Sequence, residues 1–170
     1  MLRSKIELFQ GLPIFRGLSE NQLGFIVNAG AKAFFETGEN LISKDERGDT
    51  AFLIMTGTAR CLQFPGAPAA SENVEPGSLV GELAMLVDTV HPFTVQARDR
   101  VRAFALKRES LRRVMEREPG IAQQISNNLV LRLQNFARDL RRLDNFLAGI
   151  EASPSLAEDV LRLQQSKATA

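Results

Sequence analysis

The sequence predicts an α+β, mainly β, fold: an antiparallel barrel or sandwich with helices at both ends. Three observations carry that prediction. From Lys32 to Leu106, short apolar runs alternate with turn residues at close intervals, as antiparallel strands require. Residues 1–30 instead place apolar residues at helical spacing. From Leu129 to Ile150 the apolar positions recur at alternating steps of four and three, the signature of one long helix.

Taken in order, Leu2, Ile6 and Phe9 share one helical face, and Gly11-Leu12-Pro13 ends that segment. Ser19 with Gln22 three residues later has the form of a capping box, and Leu23, Ile26 and Val27 make the buried stripe of a second short helix. Phe34 and Phe35, then Leu41 and Ile42, read as strand cores separated by a turn over Thr37-Gly38-Glu39-Asn40. Phe52 to Met55 reads as a buried strand and Thr56-Gly57 as a tight hairpin turn, with Arg60, Leu62 and Phe64 alternating on the return strand. The loop Pro65–Ser71 is built of small residues and reads as an exposed connection. Val101 to Leu106 forms a last strand, and Arg108-Glu109-Ser110 opens a helix whose inner side carries Leu111, Val114 and Met115. Glu118-Pro119-Gly120 breaks it ahead of the long helix, from about Ile121 to Ile150. Ser153-Pro154 stops that helix, and Ser155 with Glu158 opens a short terminal one. The expected organisation is an N-terminal helical segment (1–30), a β-barrel (31–107) holding a distinctive stretch at 76–97, C-terminal helices (108–150), and a short terminal helix and tail (151–170).

Composition narrows the function. A formal net charge of +1 provides no overall field toward nucleic acid or an anionic membrane. The single cysteine, Cys61, excludes an internal disulfide and a thiolate zinc cluster, and fits a reducing compartment. No apolar run has the length of a membrane span, and Met1–Lys5 is not followed by a signal-type apolar core, so a cytoplasmic protein without membrane association is expected. The lone histidine, His91, has only Ser78 as a serine near it in sequence, and no Walker loop, dinucleotide fingerprint or metal-site spacing is present. The chain is therefore not expected to be an enzyme or to hold a metal.

The distinctive stretch runs from Pro76 to Ala97. It combines a turn at Pro76-Gly77, a strand end at Leu79-Val80, a glycine opening one helical turn, and a strand in which Phe93, Val95 and Ala97 alternate with Thr94 and Gln96. A glycine at the mouth of a helical turn leaves amide N–H groups unpaired, so Gly81, Glu82, Leu83 and Ala84 offer a cage of donors suited to an anion. Gly81-Glu82-Leu83-Ala84-Met85-Leu86, then His91, then Thr94-Val95-x-Ala97, resembles the phosphate-binding cassette of the cyclic-nucleotide-binding domain family, in particular its catabolite activator protein-like sensor domains. Glu36–Ile42 and Gly48–Gly57 resemble that family's glycine-marked strands, in the family's order. The resemblance implies an eight-stranded jelly-roll type β-barrel with N-terminal helices and a long C-terminal helix.

It also implies a ligand, a cyclic nucleotide such as cAMP or cGMP, with Gly81, Glu82, Leu83, Ala84, His91 and Thr94 as its binding positions. Glu82 would hold the ribose hydroxyl, although a glutamate in a first helical turn is equally suited to the helix dipole. Two departures weaken the clamp. His91 replaces the family's arginine, which forks onto the phosphate, and Pro92 has no backbone N–H to offer. Each lost charge-assisted bond is worth about 1.5 to 3 kcal/mol, so affinity falls by roughly a hundredfold or more. His91 has two readings: a pH-gated substitute cation, or a residue capping the cassette at the surface of a pocket that has lost its nucleotide. The missing N–H of Pro92 favours the second.

The implied function is a regulatory module that senses a cyclic nucleotide or related phosphorylated ligand and relays it, through a hinge after Pro119, to the C-terminal helix and an effector protein. The alternative is a ligand-free interaction or dimerisation module with a degenerate pocket. The regular seam of the helix 121–150 points to a homodimer over packing within the chain, with Asp139 and Asp144 opposing it as like charges and Arg138, Arg141 and Arg142 offsetting them. The residues after Gly149 are too few for a helix-turn-helix, so sequence-specific DNA binding is not expected. Arg98, Arg100 and Arg102, spaced by two, would share one side of a strand pair as a solvated basic stripe.

Overall fold

The computed structural model describes the backbone of residues 2–62 and 73–151 and the side chains of residues 5–62 and 73–148. The expected loop over Pro65–Ser71, Phe64, the terminal helix after Ser153, and the side chains of Leu2 and Ile150 lie outside the described residues. The chain divides after Asn128 into two compact units.

In the first unit, α1 (Leu2–Gly11) is followed by a single 3-10 turn (Pro13–Phe15) and by α2 (Glu20–Ala29). The capping box opening α2 is formed in both directions: the Gln22 N–H donates to Ser19 Oγ, and the Ser19 N–H donates to Gln22 Oε1. Ten strands then alternate with turns: β1 (Ala31–Phe35), β2 (Asn40–Ile42), β3 (Arg47–Gly48), β4 (Thr50–Thr56), β5 (Ala59–Leu62), β6 (Asn73–Val74), β7 (Leu79–Val80), β8 (Thr89–Val90), β9 (Thr94–Ala97) and β10 (Val101–Lys107). Helix α3 (Arg108–Arg117) and the start of α4 (Pro119–Glu151) complete it.

Among the described residues the strands form two antiparallel four-stranded sheets, in the orders β1-β10-β4-β7 and β2-β9-β5-β6, and a two-stranded ribbon of β3 and β8. The class is the expected one, but the described strands number ten, not eight. The core lies between the two large sheets: Leu41, Ile42, Val95 and Ala97 from one pack with Ile54, Val80, Val101 and Ala103 from the other. Phe9 sets the N-terminal helices on this body, with ring centroids 5.2 Å from Phe15 and 5.5 Å from Phe104 of β10.

Three local expectations are corrected. Thr56-Gly57 is not a hairpin turn, because β4 and β5 belong to different sheets. It is a corner between layers, fixed by Asp99: the Thr58 N–H donates to its Oδ1 at 2.9 Å and the Thr58 hydroxyl to its Oδ2 at 2.8 Å. The Thr58 backbone bond, then its hydroxyl, hold the Asp99 carboxyl below the usual carboxylate range. Phe34 is not core but 64% exposed, since adjacent strand residues face opposite ways and Phe35 takes the inward side, edge-on to Phe52. The three arginines do not make one stripe: Arg98 donates to Asn73, Arg100 pairs with Glu36, and Arg102 lies on β10 opposite Phe34.

The second unit begins at Leu129. From Val130 to Ala148 every described side chain of α4 is exposed, including the seam residues Leu133 at 69%, Phe136 at 64% and Leu143 at 60%.

Asn128 is one of two buried polar side chains among the described residues. Asn128 Nδ2 donates to the carbonyls of Ile14 (2.9 Å) and Arg16 (2.8 Å), closing the acceptors of the 3-10 turn. Asn128→Leu keeps the volume and removes both donors. Thermal unfolding should show a loss of about 1–3 kcal/mol, the usual cost of an orphaned buried carbonyl, here that of Ile14, because the Arg16 carbonyl still accepts from Gln124 Nε2 at 3.1 Å; an unchanged melting temperature would show that the bond contributes nothing.

Candidate functional site

The Pro76–Ala97 stretch folds around Gly81. Strand β7 pairs with β4, bringing Gly81 so close that a Cβ there would lie 2.9 Å from the Thr50 carbonyl oxygen, and its φ of +75° is left-handed. A 3-10 turn follows over Glu82–Met85, with Ala84 and Met85 buried and Leu83 exposed. The donor cage is smaller than expected. The Ala84 N–H is spent inside the turn on the Gly81 carbonyl at 2.9 Å.

The ribbon of β3 and β8 then sets His91. Its N–H donates to the Glu46 carbonyl and its carbonyl accepts from the Asp45 N–H, both at 2.9 Å. The imidazole lies directly over Gly48, where any Cβ would overlap Nε2 and Cε1 and come within 2.9 Å of the Ala84 Cβ. His91 is 6% exposed. The expectation that it caps the cassette at the surface is thereby corrected: ribbon pairing turns the ring inward, over the bare backbone of Gly48. Neither ring nitrogen bonds to another described group, and neither is sealed, since no buried side-chain nitrogen or oxygen among the described residues lacks a partner.

Behind this segment lies a cavity of about 600 Å³. Gly81, Glu82, Leu83, Ala84 and His91 line it, so the structure gathers five of the six predicted positions at one place. Thr94 is not among its walls; its hydroxyl accepts from the Lys44 N–H at 2.9 Å and ties β9 to the loop after β2. Most of the remaining wall is apolar, with Ile42, Val74, Leu79, Val80, Phe93 and Val95 contributed by both large sheets. No lysine or arginine lines it among the described residues.

The nearby cations are engaged elsewhere. Arg47 pairs with Asp88 at 3.0 Å, and Arg108 approaches the same carboxylate at 3.6 Å. Arg108 also donates through Nη2 to the Gly48 carbonyl (3.3 Å) and through its backbone N–H to the Asp49 carbonyl (2.6 Å). The first residue of α3 is thus tied both to the loop after the 3-10 turn and to the ribbon carrying His91. Sequence spacing gave no sign of this, because Asp88 and Arg108 are brought together by the ribbon. Gly48 was visible as a strand-marking glycine; its role under the His91 ring was not.

Gly48→Ala forces that ring to move. We expect destabilisation of about 1–3 kcal/mol, as for overpacked cores, with part of it recovered when His91→Ser is added. Equal losses in single and double variants on chemical unfolding would refute the contact.

Comparison with known proteins places this geometry. Residues 32–118 match the family model of the cyclic nucleotide-binding domain. Neuropathy target esterase sws of Drosophila virilis is 30% identical over 134 residues, 72% of this chain but 9% of that protein. The N-terminal domain of a transcriptional regulator from Streptomyces coelicolor A3(2) superposes with a TM-score of 0.69 at 18% identity, covering 78% of this chain and 94% of that one. A cyclic nucleotide-binding domain from Methylobacillus flagellatus KT gives 0.66 at 17% identity, covering 81% and 79%. At these identities the two solved structures speak to the fold.

Proposed function

This chain belongs to the cyclic nucleotide-binding domain family, and on that premise we propose that it is a regulatory, non-catalytic module whose sensing site is the cavity behind Gly81–His91. The observation that carries the reading is the convergence of Gly81, Glu82, Leu83, Ala84 and His91 on one preformed cavity. A cyclic nucleotide, cAMP or cGMP, or a related phosphorylated ligand binds there weakly, because His91 stands alone where the family's guanidinium would fork onto phosphate and Pro92 adds no N–H. Ligand occupancy is relayed through Arg108, which joins the ribbon and the Asp88 loop to the start of α3, and from there toward α4 and an effector protein.

The exposed seam supports the second part of the reading, a homodimer through residues 121–150. The single thiol supports a cytoplasmic setting. No helix among the described residues is long and apolar enough to cross a membrane.

Calorimetry with cyclic AMP and cyclic GMP should give weak binding. His91→Arg should strengthen it by roughly tenfold or more. No heat at millimolar nucleotide with either protein would overturn the phosphate reading. For the seam, sedimentation should find a wild-type dimer that Leu140→Asp converts to a monomer; a monomeric wild type would sink the assignment.

A further inference from the structure

Phe34 and Arg102 take no part in the cavity, yet they lie side by side on the first sheet. Phe34 of β1 is 64% exposed and directly opposite Arg102 of β10, which is exposed too. Period-two alternation puts Lys32 and its partner Phe104 on the same face, one row further along. Lys5 of α1 sits over the Phe104 ring, its Nζ 4.8 Å from the centroid. An exposed phenylalanine is thus grouped with three cations.

Those cations are free of carboxylates. Lys5, Lys32 and Arg102 form no ion pair among the described residues, whereas the acidic residues that follow β1 are engaged: Glu36 pairs with Arg100 at 3.0 Å, and Glu39 accepts the Glu36 N–H at 2.8 Å. Glu7, two residues from Lys5, lies on another face of α1 and has its own interaction. The patch is therefore positive, although the chain as a whole is close to neutral.

β1 is also an edge. It pairs with β10 and with no other strand, and no backbone bond from Ala31–Phe35 outside that pairing occurs among the described residues. Alternate N–H and C=O groups of β1 consequently point away from the sheet, as a template for one more strand. A lipid surface would leave those groups unpaired. A second copy would bring the same cations against themselves. An extended acidic chain meets both requirements, since its backbone completes the ladder and its carboxylates face Lys32 and its neighbours.

We propose that the β1 edge is a docking site for an extended acidic segment of a partner protein, which adds to the first sheet beside β1 and packs an apolar side chain on Phe34. This site is independent of the cavity and its ligand.

The test is fluorescence anisotropy of the full chain with a labelled peptide, acetyl-Thr-Glu-Thr-Leu-Thr-Glu-Thr-amide, which as a strand presents its glutamates and leucine on one face. Exchanging both glutamates for lysine should weaken binding by about tenfold or more. N-methylation of two successive central amides, which blocks both edges of the peptide, should abolish it. Lys32→Glu with Arg102→Glu should reverse the preference between the acidic and lysine peptides. Phe34→Ser changes an exposed side chain and should weaken the acidic peptide by about threefold or more, which keeps the test decisive if the double variant fails to fold. Arg60→Glu, an exposed cation on the other sheet, should change nothing. Equal binding of the N-methylated peptide overturns strand addition. Undiminished binding in Phe34→Ser and in the double variant overturns the site. No binding of the acidic peptide at millimolar concentration overturns the proposal, and two further measurements then show what the face meets instead: sedimentation with phosphatidylserine vesicles lost in Phe34→Ser assigns it to a membrane, and self-association lost in Phe34→Ser assigns it to a second copy.

Discussion

The seating of the His91 ring on the unadorned backbone of Gly48 is the contact on which the rest of the site depends. It holds the β3–β8 ribbon against the 3-10 turn, since the space a Gly48 Cβ would take is shared by the imidazole and the Ala84 methyl. It turns inward the one polar side chain that could serve as a phosphate cation, and it leaves that side chain facing an apolar room. The family's fold is retained, and no lysine or arginine lines the cavity among the described residues.

Arg108 is the second organising residue. Its guanidinium donates to the Gly48 carbonyl and approaches Asp88, and its amide donates to Asp49, so the first turn of α3 is anchored to both sides of the ribbon. The Asp88–Arg47 pair is exposed and by itself worth little. What matters is connectivity: movement of the loop after the 3-10 turn cannot leave the start of α3 untouched while these bonds persist.

The legible parts of this sequence were those governed by neighbours in the chain. The Ser19–Gln22 capping box, the end of α1 at Gly11, the Leu23, Ile26 and Val27 stripe, and the glycine-opened turn at Gly81 all follow from spacings of a few residues, and all are formed. Strand partnership was not legible. Thr56-Gly57 has the composition of a hairpin, yet Thr58 bonds to Asp99 in the connection from β9 to β10, and the chain switches sheets there. Two adjacent phenylalanines gave no indication of which faced inward, because period-two alternation admits either register until Phe52 selects Phe35. The burial of His91 and the diversion of Thr94 to Lys44 are likewise long-range outcomes of ribbon and sheet pairing.

Asn128 marks a change in character along a single helix. Up to that residue α4 has side chains such as Ile121 and Ile125 fully enclosed and two amide bonds holding the turn at Ile14 and Arg16; past Val130 its described side chains are all in solvent. In a lone chain the two stretches must therefore open on different free-energy scales, the first with the body of the domain and the second by fraying of a solvated helix. Backbone amides before Asn128 would keep their protons for as long as the domain stays folded, and those beyond it would surrender them to deuterium early, a boundary set by one carboxamide side chain.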